Sequence, residues 1–397
     1  MSSTLLNELS DFFATVKQRT EFHAGYPYNL SYDYTPLFRF LEFSLNNLGD
    51  PFIESNYGIN SRKFEQEVLD FFANLYKIAT NDSWGYITAC GTEGNLYGIF
   101  VGREVYPDGI LYSSQDTHYS VAKAARLFRI EHVVLRSQET GEIEYDHFEE
   151  MIRENRGRPA IINLNIGTTM KGAIDNLDVV LDILERNNIQ DYYIHCDGAL
   201  SGMILPFLAD APQVSFTKPI GSISISGHKF IGSPLPCGVV LTRKVFLNKV
   251  ETNIEYIGSK DTTILGSRNG HSPLFFWYAL KTRGHAGLAK EINFCLENAQ
   301  YLFNKLNLLK YPCMLNKFSN TVVFKKPPEY LIKKWQLAIQ GDWVHIVVMQ
   351  NIDTCKIDKF ISDLKDCAIN NLRANPKLVS CYISDERLDE QRLAGIL

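Results

Sequence analysis

The chain has no apolar run long enough to span a bilayer, no long tract of lysine or arginine, and no C-x-x-C pair among its 8 cysteines. The first absence argues against a membrane helix, which needs about 20 consecutive apolar residues. The second, with a formal net charge of -5, argues against a nucleic-acid surface. Cys90, Cys196, Cys237, Cys295, Cys313, Cys355, Cys367 and Cys381 are scattered without metal-ligand spacing, so no metal site is expected and they read as reduced thiols of a cytoplasmic protein. No G-x-G-x-x-G follows a first strand, which removes the fingerprint of a nicotinamide dinucleotide site. There is no internal repeat and no low-complexity tract. The first 20 residues carry no basic segment ahead of their apolar residues and no small-residue cleavage site, so they do not read as a signal peptide.

What remains is a chain of 397 residues, 45% hydrophobic and 21% charged, enough for one large domain and a smaller one. Leu5, Leu6, Leu9, Phe12, Phe13 and Val16 recur at helical spacing. That stripe is wider than a free surface helix carries and suits packing on a partner subunit or on the chain's own domain. Residues 26–57, rich in aromatics, Pro and Asn, suggest an ordered irregular segment near a site. Ser61 then opens a helix with Phe64, Val68, Phe71, Phe72 and Leu75 on one face.

From 85 to 242 short apolar strands (110–113, 132–135, 160–165, 192–196, 222–226, 239–242) alternate with helical stretches (93–105, 120–128, 176–186). Continuous apolar strands separated by helices imply an α/β architecture, a mostly parallel sheet with helices on both faces. Past Gly270 the pattern predicts a helical hairpin (273–282, then 288–308), a strand at 321–324, a helix near 331–339, a strand at 344–349 and a last helix from Lys356. The expected division is an N-terminal helix and arm at 1–60, a large domain at 61–285, a small α+β domain at 286–376 and a polar, poorly ordered tail at 377–397.

The chemistry concentrates at strand ends. The apolar strand around Ile223 and Ile225 delivers Ser226, Gly227, His228 and Lys229, and a lysine at the mouth of a buried strand is desolvated toward its neutral, nucleophilic amine. Asp197 ends the strand before it, 32 residues earlier, on the same face as His195 and opposite Cys196. Strand ends are where open α/β sheets bind ligands. An imine-forming lysine and an aspartate are the two groups that pyridoxal phosphate asks of a protein, the acid holding the ring nitrogen protonated. At an effective dielectric near 20 that ion pair is worth up to about 4 kcal/mol at ~4 Å, roughly 3 pK units. Gly91, Thr92, Glu93, Gly94 and Asn95 open a helix after apolar residues 86–88, so free N–H groups and the helix dipole can hold a phosphate. Ser226 and His228 can add donors to it, and His118 can stack on a flat ring. Thr168 and Thr169 occupy another strand end, where they can reach the cofactor's phenolic oxygen or a substrate carboxylate.

Together His118, the 91–95 turn, Asp197-Gly198-Ala199 and the 226–229 run resemble the group II pyridoxal-phosphate amino-acid decarboxylases, in the short histidine/serine decarboxylase branch. The likeness covers roughly residues 25–366. It implies the fold type I (aspartate-aminotransferase-like) architecture with a seven-stranded sheet, a homodimer with shared sites, and a small L-amino acid substrate. Carried over residue by residue, Lys229 binds the cofactor covalently, Asp197 pairs with the ring nitrogen, and His118 and Ala199 cover its two faces. Gly91, Thr92, Glu93 through its backbone, Ser226 and His228 fall on phosphate positions, with Thr168 beside them. Ser267 matches a segment that reaches the phosphate from the partner subunit, and Tyr256 lies in a segment resembling a mobile loop with a proton-donating tyrosine.

The substrate stays open between L-histidine, giving histamine, and L-serine, giving ethanolamine. Residues 201–206 resemble bacterial histidine decarboxylases. Residues 49–58, Cys90, 195–198 and 347–349 are similar to plant serine decarboxylases, and the bacterial histidine enzymes carry Gly in place of Cys90 and Ala in place of Gly198. The same cofactor and fold also serve decarboxylases of aromatic or acidic amino acids, transaminases and carbon-sulfur lyases. No evident arginine for a second carboxylate disfavours transamination.

Overall fold

The computed structural model describes residues 3–374, so the tail at 377–397 lies outside the described residues. Its centre is a seven-stranded sheet built from β1 (Ser83–Thr88), β2 (Ile110–Ser114), β3 (Glu131–Leu135), β4 (Ala160–Asn165), β5 (Tyr192–Asp197), β6 (Ser222–Ser226) and β7 (Gly238–Arg243). The order is β1-β7-β6-β5-β4-β2-β3. Only β7 runs antiparallel to its neighbours, and the other pairings are parallel. β2, β4 and β6 are buried along their whole length, β4 as a near-continuous apolar run and β6 with buried serines alternating with Ile223 and Ile225. β3, at the edge, is half-exposed.

The helices are α1 (Ser3–Glu21), α2 (Arg62–Leu75), α3 (Gly91–Val105), α4 (Tyr119–Phe128), α5 (Tyr145–Glu154), α6 (Leu177–Arg186), α7 (His271–Leu308), α8 (Glu329–Trp335) and α9 (Thr354–Ala374). A short hairpin, β8 (Thr252–Ile254) and β9 (Ser259–Asp261), leaves the main sheet. Four more strands, β10 (Cys313–Leu315), β11 (Thr321–Lys325), β12 (Ala338–Gln340) and β13 (Trp343–Val347), form an antiparallel sheet in the order β10-β11-β13-β12.

The break expected between 282 and 288 falls at Gly284, where two helical stretches of α7 meet at a kink whose φ of 59° with ψ of -179° only glycine adopts without strain. The helix expected to reach residue 339 stops at Trp335 because Gln336 takes a left-handed φ of 53°, and Ile339 belongs to β12. Within segment 1–60, Ala24 joins the core cluster that includes residues of β11 and β13, while Tyr34 and Leu37 join the larger core packed on the seven-stranded sheet.

Helix α3 lies close against β5 and β6 through Gly94 and Gly98. A Cβ on Gly94 would fall 2.7 Å from the Ser224 Cβ, and one on Gly98 would fall 2.1 Å from His195 Nδ1. That approach lets Asn95, between them, reach the ends of both strands. Gly98→Ala gains helix propensity worth about 1 kcal/mol yet drives a methyl into a pinned imidazole, so a net loss of about 1–3 kcal/mol is expected. Urea denaturation measures it; an unchanged or raised midpoint would contradict this packing.

Candidate active site

A cavity of about 240 Å³ opens beyond the C-terminal ends of β2, β4, β5 and β6. Gly91, Thr92, His118, Thr168, Thr169, Asp197, Ala199, Ser226, His228 and Lys229 all line it. Cys90, Asn95, Tyr119, Asn165, Gly167 and Leu200 line it as well, and further walls come from Gly25, Tyr26, Pro27 and Tyr28 of the N-terminal segment and from Ala338 and His345 of the small sheet.

Three residues singled out in the sequence are not among the lining residues. Glu93 turns its carboxylate away, accepting from Ala89 N (2.6 Å) and the Tyr86 hydroxyl (2.9 Å), so its side chain ties the start of α3 back to β1 and the residue that follows it. Burial raises its pKa, against those two donors. Tyr256 lies in the β8–β9 turn with 84% of its surface exposed. Ser267 is exposed too, its hydroxyl accepting from Asn46 Nδ2 at 3.2 Å.

Asp197, 6% exposed, is held by two donors: Asn95 Nδ2 at 2.6 Å and Ala199 N at 3.0 Å. A carboxylate only accepts, so the Asn95 amide must present its nitrogen here and its oxygen to the other side. That oxygen receives Ser224 Oγ (2.5 Å) and His195 Nε2 (3.1 Å). His195, with Nδ1 on Ser222 Oγ at 2.8 Å, has its pKa pushed down to about 4 by burial, and so stays neutral. The second Asn95 N–H goes to Ser120 Oγ at 3.0 Å. Ser120 then hands its own proton to His118 Nδ1 at 2.8 Å, and the Ser120 amide points at the same nitrogen. The His118 ring proton therefore sits on Nε2. Burial lowers the pKa of His118, with the Asp197 charge working the other way.

Lys229 is lowered in basicity by burial first, opposed by Asp197 and Cys90. Its main chain is gripped from the N-terminal segment: Asn29 N donates to Lys229 O (3.1 Å) and Asn29 Nδ2 to Phe230 O (3.1 Å). His228 donates Nδ1 to Cys237 O at 2.8 Å, and its ring lies 5.7 Å from that of Tyr28. Sequence reasoning missed Asn29 as a support and passed over Asn95 as the hub. A buried carboxamide on the glycine-lined face of α3 was the available sign for Asn95; Asn29 gave none.

The cavity fits a phosphorylated pyridine aldehyde on two observations. Ser226 Oγ is buried without a hydrogen-bond partner among the described residues. It lies under the open N-terminus of α3, where a Cβ on Gly91 would come within 2.5 Å of it. An unmet hydroxyl beside free helix N–H groups is a cradle for an anion. Ser226→Ala should leave the cofactor-free protein as stable as the parent or more so, while weakening pyridoxal phosphate binding roughly five- to ten-fold, the size of one charge-assisted bond. Thermal melts and equilibrium dialysis read the two effects; a destabilised apoprotein with unchanged affinity would refute the assignment.

The model of the pyridoxal-dependent decarboxylase conserved domain matches residues 102–325, more than half of the chain. Serine decarboxylase 1 of Oryza sativa subsp. japonica is 53% identical over 351 residues, covering 88% of this chain and 73% of the relative. Histidine decarboxylase of Solanum lycopersicum is 47% identical over 361 residues, covering 90% and 87%. Among solved structures, L-methionine decarboxylase from Streptomyces sp. 590 superposes with a TM-score of 0.84 at 26% identity, over 92% of this chain and 95% of that one. The chain belongs to the pyridoxal-dependent decarboxylase family and has the fold type I architecture.

Proposed function

We propose that this enzyme converts L-serine to ethanolamine and CO2 with pyridoxal phosphate, in a homodimer that shares its active sites. The observation that carries the decarboxylase reading is the convergence of Lys229, Asp197 and the unmet Ser226 hydroxyl on one cavity. Serine is favoured over histidine by the higher identity to the Oryza enzyme and by residues 49–58, Cys90 and 195–198. L-Histidine is the second reading, favoured by residues 201–206.

When bound, pyridoxal phosphate supplies an electrophilic aldehyde and a protonated ring that takes up the electron pair left by departing CO2. Lys229, its Nζ poised toward the neutral form, would hold the group covalently, with water as the leaving group. Asp197, locked by Asn95 and Ala199, would pair with the ring nitrogen. His118, its orientation set by Ser120, and Ala199 would flank the ring. The α3 N–H groups of Gly91, Thr92 and Glu93, with Ser226 and His228, would hold the phosphate, with Thr168 beside them. One proton must reach the α-carbon to balance the loss of CO2. Tyr256 of a second copy is the proposed donor, and Ser267 the proposed contribution of that copy to the phosphate.

The dimer reading rests on exposed apolar surface. Phe12 and Phe13 of α1 are 68% and 70% exposed, and Phe38, Leu41 and Phe43 more than half. The neighbouring strip, 44–59, is bonded to the segments bearing Tyr256 and Ser267, through Asn56 N to Ile257 O (2.8 Å) and Asn46 Nδ2 to Ser267 Oγ. A second copy on this face would bring both residues to a neighbouring pocket. Among the described residues no helix is long and apolar enough to cross a membrane, and we place the enzyme in the cytoplasm.

Purified protein should be yellow and release CO2 from L-serine faster than from L-histidine, L-tyrosine or L-glutamate, with ethanolamine as product. Lys229→Ala should lose both colour and turnover; full turnover in that variant would falsify the assignment, and histamine as the main product would move it to the second reading. Sedimentation should give twice 45.2 kDa for the parent. The double change Phe12→Asp, Phe13→Asp should shift it toward one chain.

A further inference from the structure

Beside the groups that hold the cofactor, the cavity is walled by one imidazole that serves none of them. His345, on β13, lines the pocket and is 2% exposed. Its Nδ1 lies 2.9 Å from Met170 O and its Nε2 2.9 Å from Gly25 O. Both ring nitrogens thus face main-chain carbonyls, and neither points at a reacting group. A pocket histidine so occupied is no proton shuttle.

The two carbonyls belong to different walls. Gly25 leads into Tyr26, Pro27 and Tyr28, and its own backbone is seated against the small sheet, where a Cβ would fall 2.2 Å from Gln336 O. Val347 N donates to Ala24 O at 3.0 Å beside it. Met170 is the tip of a closed turn that carries Thr168 and Thr169, pinned by Gly172 N to Thr168 O (2.8 Å) and Ala173 N to Thr168 Oγ1 (3.0 Å). Asn316 holds the next carbonyl of that turn, Lys171 O, at 2.9 Å, again from the small domain. With Gly91, Thr92, Ser226 and His228 assigned to the phosphate, these two walls, together with Cys90, Tyr119, Asn165 and Leu200, help line the rest of the cavity.

We infer that His345 is a positioning residue that sets the spacing between the N-terminal segment and the threonine turn, and thereby the shape of the space offered to the amino acid. The inference rests on the decarboxylase reading only for what occupies that space. A neutral imidazole carries one N–H and serves one carbonyl at a time, whereas the imidazolium serves both; burial opposes that extra proton and the two carbonyls favour it.

Two conservative variants separate the bonds. In His345→Asn the amide nitrogen falls near Nδ1 and keeps Met170, and in His345→Gln it falls near Nε2 and keeps Gly25. Hydrogen exchange on the cofactor-free protein should show the Val347 amide roughly five-fold faster in His345→Asn, with the Gly172 amide unchanged, and the reverse in His345→Gln, the size of one buried neutral bond. On the holoenzyme each variant should raise KM for the amino acid several-fold while moving kcat less. Parent-like exchange at both amides in both variants would overturn the inference, as would a variant pair that loosens both walls alike. An inactive parent enzyme would defeat the decarboxylase reading and leave the exchange data to decide this one.

Discussion

A carboxylate at the end of a buried strand needs donors that cannot turn away, and for Asp197 these are the amide of Asn95 and the backbone N–H of Ala199. Asn95 in turn is fixed because both ends of its amide are spoken for, by Ser224 and His195 on the oxygen and by Ser120 on the second N–H. That a carboxylate has no proton to give sets the orientation of the Asn95 amide and so places a proton on His195 Nε2. Burial keeps that ring neutral, and the Ser120 hydroxyl and backbone N–H fix the tautomer of His118. The carboxylate of Asp197 and, through Ser120, the imidazole of His118 are thus both oriented from one carboxamide on α3, which reaches them because Gly94 and Gly98 let the helix down onto the sheet.

The lysine is treated differently. Its surroundings weaken its hold on a proton, and its main chain is fastened from outside the sheet, by Asn29 and, one residue on, by Gln350, which donates to Phe230 O at 3.0 Å. The site is thus assembled from the large domain, the small domain and the N-terminal segment together. Each fastener is a bond between residues more than 100 positions apart. Such contacts are costly to close during folding, yet once made they leave little slack around the reacting groups.

Much of this was legible in the chain. The alternation of β5 put His195 and Asp197 on one face and Cys196 on the other, and the structure has Cys196 in the large core with His195 and Asp197 both on Asn95. β2 and β4 announced themselves by their apolar runs, as burial on both faces favours, whereas the equally buried β6 alternates serine with isoleucine. What escaped depends on long-range partners: Asn29 and His345 are ordinary residues until the fold brings carbonyls to them. The stop at Trp335 escaped because Gln336 adopts a left-handed turn that glycine or asparagine usually signals. Tyr256 and Ser267, read from resemblance, lie outside the cavity of their own chain. They belong to a question of assembly that a single chain does not pose.

Helix α7 contributes Leu288, Ile292 and Cys295 to the large core and Ala299, Leu302 and Leu306 to the small one. It is an axle shared by two bodies, and its hydrogen-bond ladder resists twisting everywhere except at Gly284, which has no neighbour within 4 Å of where a Cβ would be. Glycine is needed there for its dihedral freedom alone, since space is plentiful. Phe275, Phe276, Ala279 and Leu280, ahead of the joint, already sit in the large core, so that core grips the helix on both sides of Gly284 while the stretch running on into the small core is unbroken. The bend is clamped inside one core, and torque arising there is passed straight to the other along continuous helix.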